Sequence, residues 1–219
     1  MGIDWEGFEL LPPELLERPS DISREEAWRR HRLRMQLLPG RLDALERLAT
    51  ANGVVVGQRG SRDCGAVEDW VHSTVLDRFP VNDLRPRLDA VRADMDALVD
   101  AALAAGISAG EALRDALGRD ALRNPLDDPT EPVVSLIHDT GMLFGDERIA
   151  RYPQLSWQLR RGSPRNLVYH HTVLMGFTKS PRYEAEPVFS YLLGLRGELQ
   201  GDPHRRRWPA ILDQTDQIA

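Results

Sequence analysis

The sequence predicts an α+β protein, mostly helical, whose helices pack on a small antiparallel sheet containing a β-hairpin in the C-terminal half. Three observations carry this. Apolar residues recur at helical spacing through most of the first half. A proline-opened run from Thr130 to Arg151 keeps that spacing, with Val133, Leu136, Ile137, Thr140 and Phe144 on one stripe. After Tyr152 and Pro153 the period drops to two, with Leu155, Trp157 and Leu159 alternating with Ser156, Gln158 and Arg160.

Met1 to Ser20 holds Trp5, Phe8, Leu10, Leu11, Leu15 and Leu16 among prolines, and is expected to lie against the body as an arm or short strand plus one helical turn. Ser23 followed by Glu26 has the form of a capping box, opening a helix from Arg24 to about Leu38, where Pro39 and Gly40 are expected to stop it. Arg41 to Asn52 is expected as a second amphipathic helix, with Leu42, Leu45, Leu48 and Ala49 inward. Val54 to Val56, between Gly53 and Gly57, is expected as a short buried strand. The segment Gly57-Gln58-Arg59-Gly60-Ser61 lacks the Gly-Lys-Ser/Thr ending of a nucleotide-triphosphate loop and is expected to be a turn.

A helix over Asp63 to Phe79 buries Val67, Trp70, Val71 and Leu76. Asp83 to Ala105 carries a long apolar seam, and after Gly106 a helix capped by Ser108 completes a helical hairpin. In the run that follows, Thr130 is the expected N-cap, and Gly141 and Gly145 predict a close backbone approach. The turn-rich Arg161 to Asn166 joins the two pleated runs, Leu155–Arg160 and Leu167–Phe177, with Trp157 as the expected core anchor. Glu186 to Gln200 and a basic tail around Trp208 add further amphipathic segments.

The 219 residues suit one domain over 1–219, with a helical half at about 21–122 and a helix-hairpin-helix half at about 130–200 joined by a linker at 123–129. The net charge of −6 argues against general affinity for nucleic acid or anionic membranes. Basic charge is almost all arginine, with Lys179 the only lysine, as a GC-rich bacterial coding sequence would give. The first residues lack the basic-then-apolar order of a secretory leader, no run is long enough to span a bilayer, and Cys64 is the single cysteine, so the expected compartment is the cytoplasm.

Candidate chemistry is sparse. His138 and Asp139 on the central helix, with His170 or His171 on the following strand, form the weak catalytic candidates, and His138 is the weak metal candidate. Adjacent strand histidines point to opposite faces and do not readily hold one ion together, so no metal or other cofactor is expected. Tyr169 and Arg160 or Arg165 are the neighbours expected in any polar pocket there. Cys64 and His72 are two turns apart on one helix, about 12 Å, too far for direct proton transfer.

The run Trp28 to Arg34 is densely basic. Arg29, Arg30, Arg32 and Arg34 read first as a solvated face partnered with acids, and alternatively as a docking site for an acidic group. The leading functional expectation is a non-enzymatic protein-interaction module, an adaptor or toxin-neutralising immunity-type protein, whose partner is another protein. The alternative is a small hydrolase or metal-dependent enzyme using the His/Asp group, and the third is a DNA-binding regulator.

Overall fold

A computed structural model describes residues 3, 5, 7–16, 22–79, 97, 100, 104, 126, 128–160, 170–188, 190–192 and 195. Within these the protein is mostly helical, with one two-stranded antiparallel sheet in the C-terminal half, an α+β arrangement. The elements are a 3₁₀ turn, Pro13–Leu15, then α1, Arg24–Ala51, α2, Cys64–Arg78, α3, Pro132–Arg151, β1, Ser156–Leu159, and β2, Thr172–Met175. The expected helical hairpin of residues 83–117, apart from residues 97, 100 and 104, lies outside the described residues, as do the hairpin turn at 161–166, the basic tail, Arg165 and Tyr169.

α1 corrects one expectation. The chain does not stop at Pro39 and Gly40 but continues as a single helix of 28 residues with Pro39 inside it. An interior proline removes one hydrogen bond and costs about 3 kcal/mol. Against that, Ala27 and His31 continue in helical step to Leu42, Leu45, Leu48 and Ala49, all buried, while Pro39 and Gly40 are exposed. Burying one Leu side chain is worth roughly 1.5–3 kcal/mol, so several of them on one stripe outweigh the proline. Ser23 caps α1 by accepting from the Glu26 amide.

Two smaller corrections follow the same accounting of backbone groups. Val54 to Val56 is not a strand: Val55 is 81% exposed, and the flanking amides bond locally, Val54 to the Ala49 carbonyl and Asp63 to the Val56 carbonyl. Thr130 is not the N-cap of α3. It turns back to Asp128, while Glu131 precedes Pro132 and pairs with Arg78 of α2.

α3 is the spine of the main core. Val133, Leu136, Ile137, Leu143 and Phe144 are buried against Leu45, Leu48, Val67, Val71 and Val75 of α1 and α2. The sheet pairs Trp157 with Leu174 and Leu159 with Thr172. An isolated bridge between Leu174 and Ala185 brings the chain back along β2, and Leu155, Leu174, Phe177 and Ala185 form a second apolar cluster beside it. Among the described residues no helix is long and apolar enough to cross a membrane.

Candidate site between the arm and helices α1 and α3

Residues 7–16 form an arm alongside α1, and arginines of α1 hold it by its main chain. The Arg30 guanidinium donates to the Glu14 carbonyl at 2.5 Å, Arg34 to the Leu15 carbonyl at 2.7 Å, and Arg41 to the Glu9 carbonyl. From α3, the Ser135 hydroxyl oxygen accepts the Leu11 amide at 2.9 Å. Leu11 and Leu15 are buried, and the Arg41 guanidinium lies 4.8 Å from the centre of the Phe8 ring. Residues 30, 34 and 41 fall one and then two turns apart, which places their guanidiniums on a single stripe.

Under the arm is a crevice lined by Leu11, Arg34, Arg41, His138, Asp139 and Met142 among others. Asp139 is fixed by Arg41, whose Nε and Nη2 reach both carboxylate oxygens at 2.5–3.2 Å. Burial nevertheless pushes the Asp139 carboxyl up to about 6, against the pull of Arg41. Burial holds the His138 imidazole down to about 3, with Arg34 adding to the effect. Its Nδ1 is buried with no hydrogen-bond partner among the described residues.

Arg34 is the electrostatic centre of this region. After burial, it is the largest influence depressing His31, His138 and His171. Burial also brings Arg34 itself down to about 10, which leaves it charged at neutral pH. His31 meets the Thr172 hydroxyl at 3.1 Å, tying α1 to β2. His171 contacts the Glu186 carboxylate, an attraction opposed by burial and Arg34, which push the imidazole down to about 4.

His138 and Asp139 therefore share one crevice, with His171 in electrostatic reach of His138. Neither His170 nor His171 lies on a strand: His170 is a buried turn residue with φ of 66°, and His171 immediately precedes β2. Arg160 pairs with Glu184 instead of entering the crevice. Among the described residues no group of three or more His, Cys, Asp or Glu side chains is arranged to hold a metal ion. Of the basic run, Arg29 and Arg30 pair with Glu26, Arg30 and Arg34 also grip the arm, and Arg32 faces solvent. Trp157 sits against α3, partly buried and packed on both apolar clusters.

A second charged cluster serves the loop after α1. Arg59 and Arg62 both pair with Asp146, Arg62 also with Glu46, and the Gly60 amide donates to Glu147 at 2.7 Å. Residues 58–61 form a turn closed by the Ser61 amide on the Gln58 carbonyl, with Gly60 at φ of 93°. Cys64, at the start of α2, has its thiol pushed up to about 11 by burial and by Glu147, away from nucleophilic chemistry.

Sequence reasoning missed Arg41, Leu11 and Ser135 as members of the site. The spacing of Arg30, Arg34 and Arg41 was a readable signal, hidden by the expected break at Pro39. Compared with family models, curated proteins and solved structures, the chain matches none.

Proposed function

We propose that this chain is a non-enzymatic protein-interaction module, of adaptor or immunity type, acting in a bacterial cytoplasm on another protein. One observation carries the reading: the face between α1 and α3 grips a short arm, ending in a 3₁₀ turn, by main-chain carbonyls and two leucine anchors, which is how proteins hold peptides. The test is recovery of the tagged full chain from its source cells under gentle conditions. A partner that elutes on adding a synthetic peptide of residues 7–15, and is lost in Arg34→Gln, supports the reading. A chain that emerges alone counts against it.

A second reading, a small hydrolase using His138 and Asp139, is favoured by the elevated carboxyl of Asp139 beside a neutral imidazole. Both Asp139 oxygens are engaged by Arg41, which ranks it second. Hydrolysis of model esters or phosphoesters that disappears in Asp139→Asn would reverse the order.

A further inference from the structure

We infer that the arm is an internal stand-in for the C-terminal segment of a partner, and that the partner's chain-terminal carboxylate takes the place of the Leu15 carbonyl at Arg34. This rests on reading the α1–α3 face as a peptide site. Three features of the face define the occupant. Leu11 and Leu15 are the buried anchors, four residues apart. Pro12, at φ −51° and ψ 130°, leads into the 3₁₀ turn Pro13–Leu15, closed by the Leu15 amide on the Pro12 carbonyl, which sets the spacing between them. The third feature is Arg34.

Arg30 and Arg41 each have a carboxylate partner, Glu26 and Asp139, as well as an arm carbonyl. Arg34 forms no ion pair among the described residues; its hydrogen bond goes to the neutral Leu15 carbonyl. Asp139, the acid acting on Arg34, is already taken by Arg41 through both oxygens. A guanidinium held largely away from water with a neutral acceptor gains from an anionic one, because charge-assisted hydrogen bonds are about twice as strong as neutral ones. The acceptor position is a main-chain carbonyl, and an α-carboxylate presents its oxygens from that same carbon. A chain end fits there without moving the anchors, and the arm is the tethered competitor that must leave first.

The experiment uses fluorescein-labelled peptides with the sequence of residues 7–15, one ending in a free carboxylate and one in an amide, titrated into the full chain by anisotropy. A tethered arm acts at an effective concentration of order millimolar, so the titrations are run on Leu15→Ala and Leu11→Ala chains as well as wild type, with circular dichroism confirming their helical content. The expected result is tenfold or greater preference for the free acid in the loosened chains, removed by adding Arg34→Gln. Equal affinity for acid and amide overturns the carboxylate inference while the peptide-face reading stands. Failure of both peptides to bind either loosened chain removes the peptide-face reading itself.

Discussion

The indole of Trp157 occupies the space a side chain at Gly145 would need: a Cβ built on that glycine would stand 2.1 Å from Cζ2 and 2.2 Å from Cη2 of the ring. This contact fixes β1 to α3. Gly141, one turn earlier, is also tightly met, with its Cβ position 2.6 Å from the Cα of Val188. Both glycines are required by packing, because in an open helix alanine would be favoured by about 1 kcal/mol.

Gly145→Ala and Gly141→Ala are each expected to destabilise the fold by about 1–3 kcal/mol, as overpacking does. Gly40→Ala, at an exposed α1 position with nothing within 4 Å of the new Cβ, is expected to stabilise by up to about 1 kcal/mol. Urea midpoints of the three variants give the comparison. Loss in the first two and gain in the third is the expected pattern, and equal effects would mean the contacts do not constrain α3.

The charged cluster around the 58–61 turn separates buried from exposed pairs. Arg62 is 7% exposed at its side chain and joins Glu46, Asp146 and Glu147, so Arg62→Met leaves buried acids under-compensated and is expected to cost about 3–5 kcal/mol. Arg59 pairs with the same Asp146 but is 56% exposed, and Arg59→Ala is expected to cost no more than about 1 kcal/mol. Denaturant unfolding of both variants checks the ranking, and a larger loss at Arg59 would contradict it.

Stability is expected to fall as the solution is acidified from about pH 7 to about pH 4. His31, His138 and His171 all titrate below 6.5 in the fold, His138 near 3 and His171 near 4. Their contribution is present above 6.5 and lost as pH falls through those folded values. Asp139 acts in the opposite sense: raised from 3.8 to about 6, it contributes stability below 3.8 that is lost as pH rises through 6. Asp139→Asn removes that opposing contribution, so its melting temperature is expected to drop more steeply than wild type between about pH 6 and about pH 4. A shallower decline in the variant would contradict the assignment.

How much of this was legible in the sequence depends on whether the signal was local. The switch from helical to pleated spacing after Tyr152 identified α3 and β1 because both periods repeat within a few residues, although α3 is buried almost without a break from Val133 to Arg148 and not along one stripe alone. The glycine pair on α3 announced a close neighbour but not which one. Pro39 misled because a local penalty of a few kcal/mol was set against burial along the whole stripe of α1, which only the assembled core supplies. Val54 to Val56 failed for a related reason: three valines suit a strand, yet the Val54 amide bonds back to the Ala49 carbonyl of α1 and the Val56 carbonyl accepts the Asp63 amide at the start of α2.

The site was half visible. His138 and Asp139 were named from residue type, and both line the crevice. The arm's grip was not visible, because Arg30, Arg34 and Arg41 bond to main-chain carbonyls, and carbonyl acceptors leave no mark on residue identity. Ser135 bonds to an amide 124 positions away, a pairing no periodicity encodes.

The claim that residues 8–15 behave as a separable ligand of α1 and α3 is tested most directly by hydrogen exchange at the Leu11 amide, which is bonded to Ser135. The account predicts that Leu11 opens more readily than core amides such as Val71, and that excess free-acid peptide of residues 7–15 lowers its protection while leaving Val71 unchanged. Exchange at Leu11 that occurs only with global unfolding, and that the peptide does not alter, would contradict it.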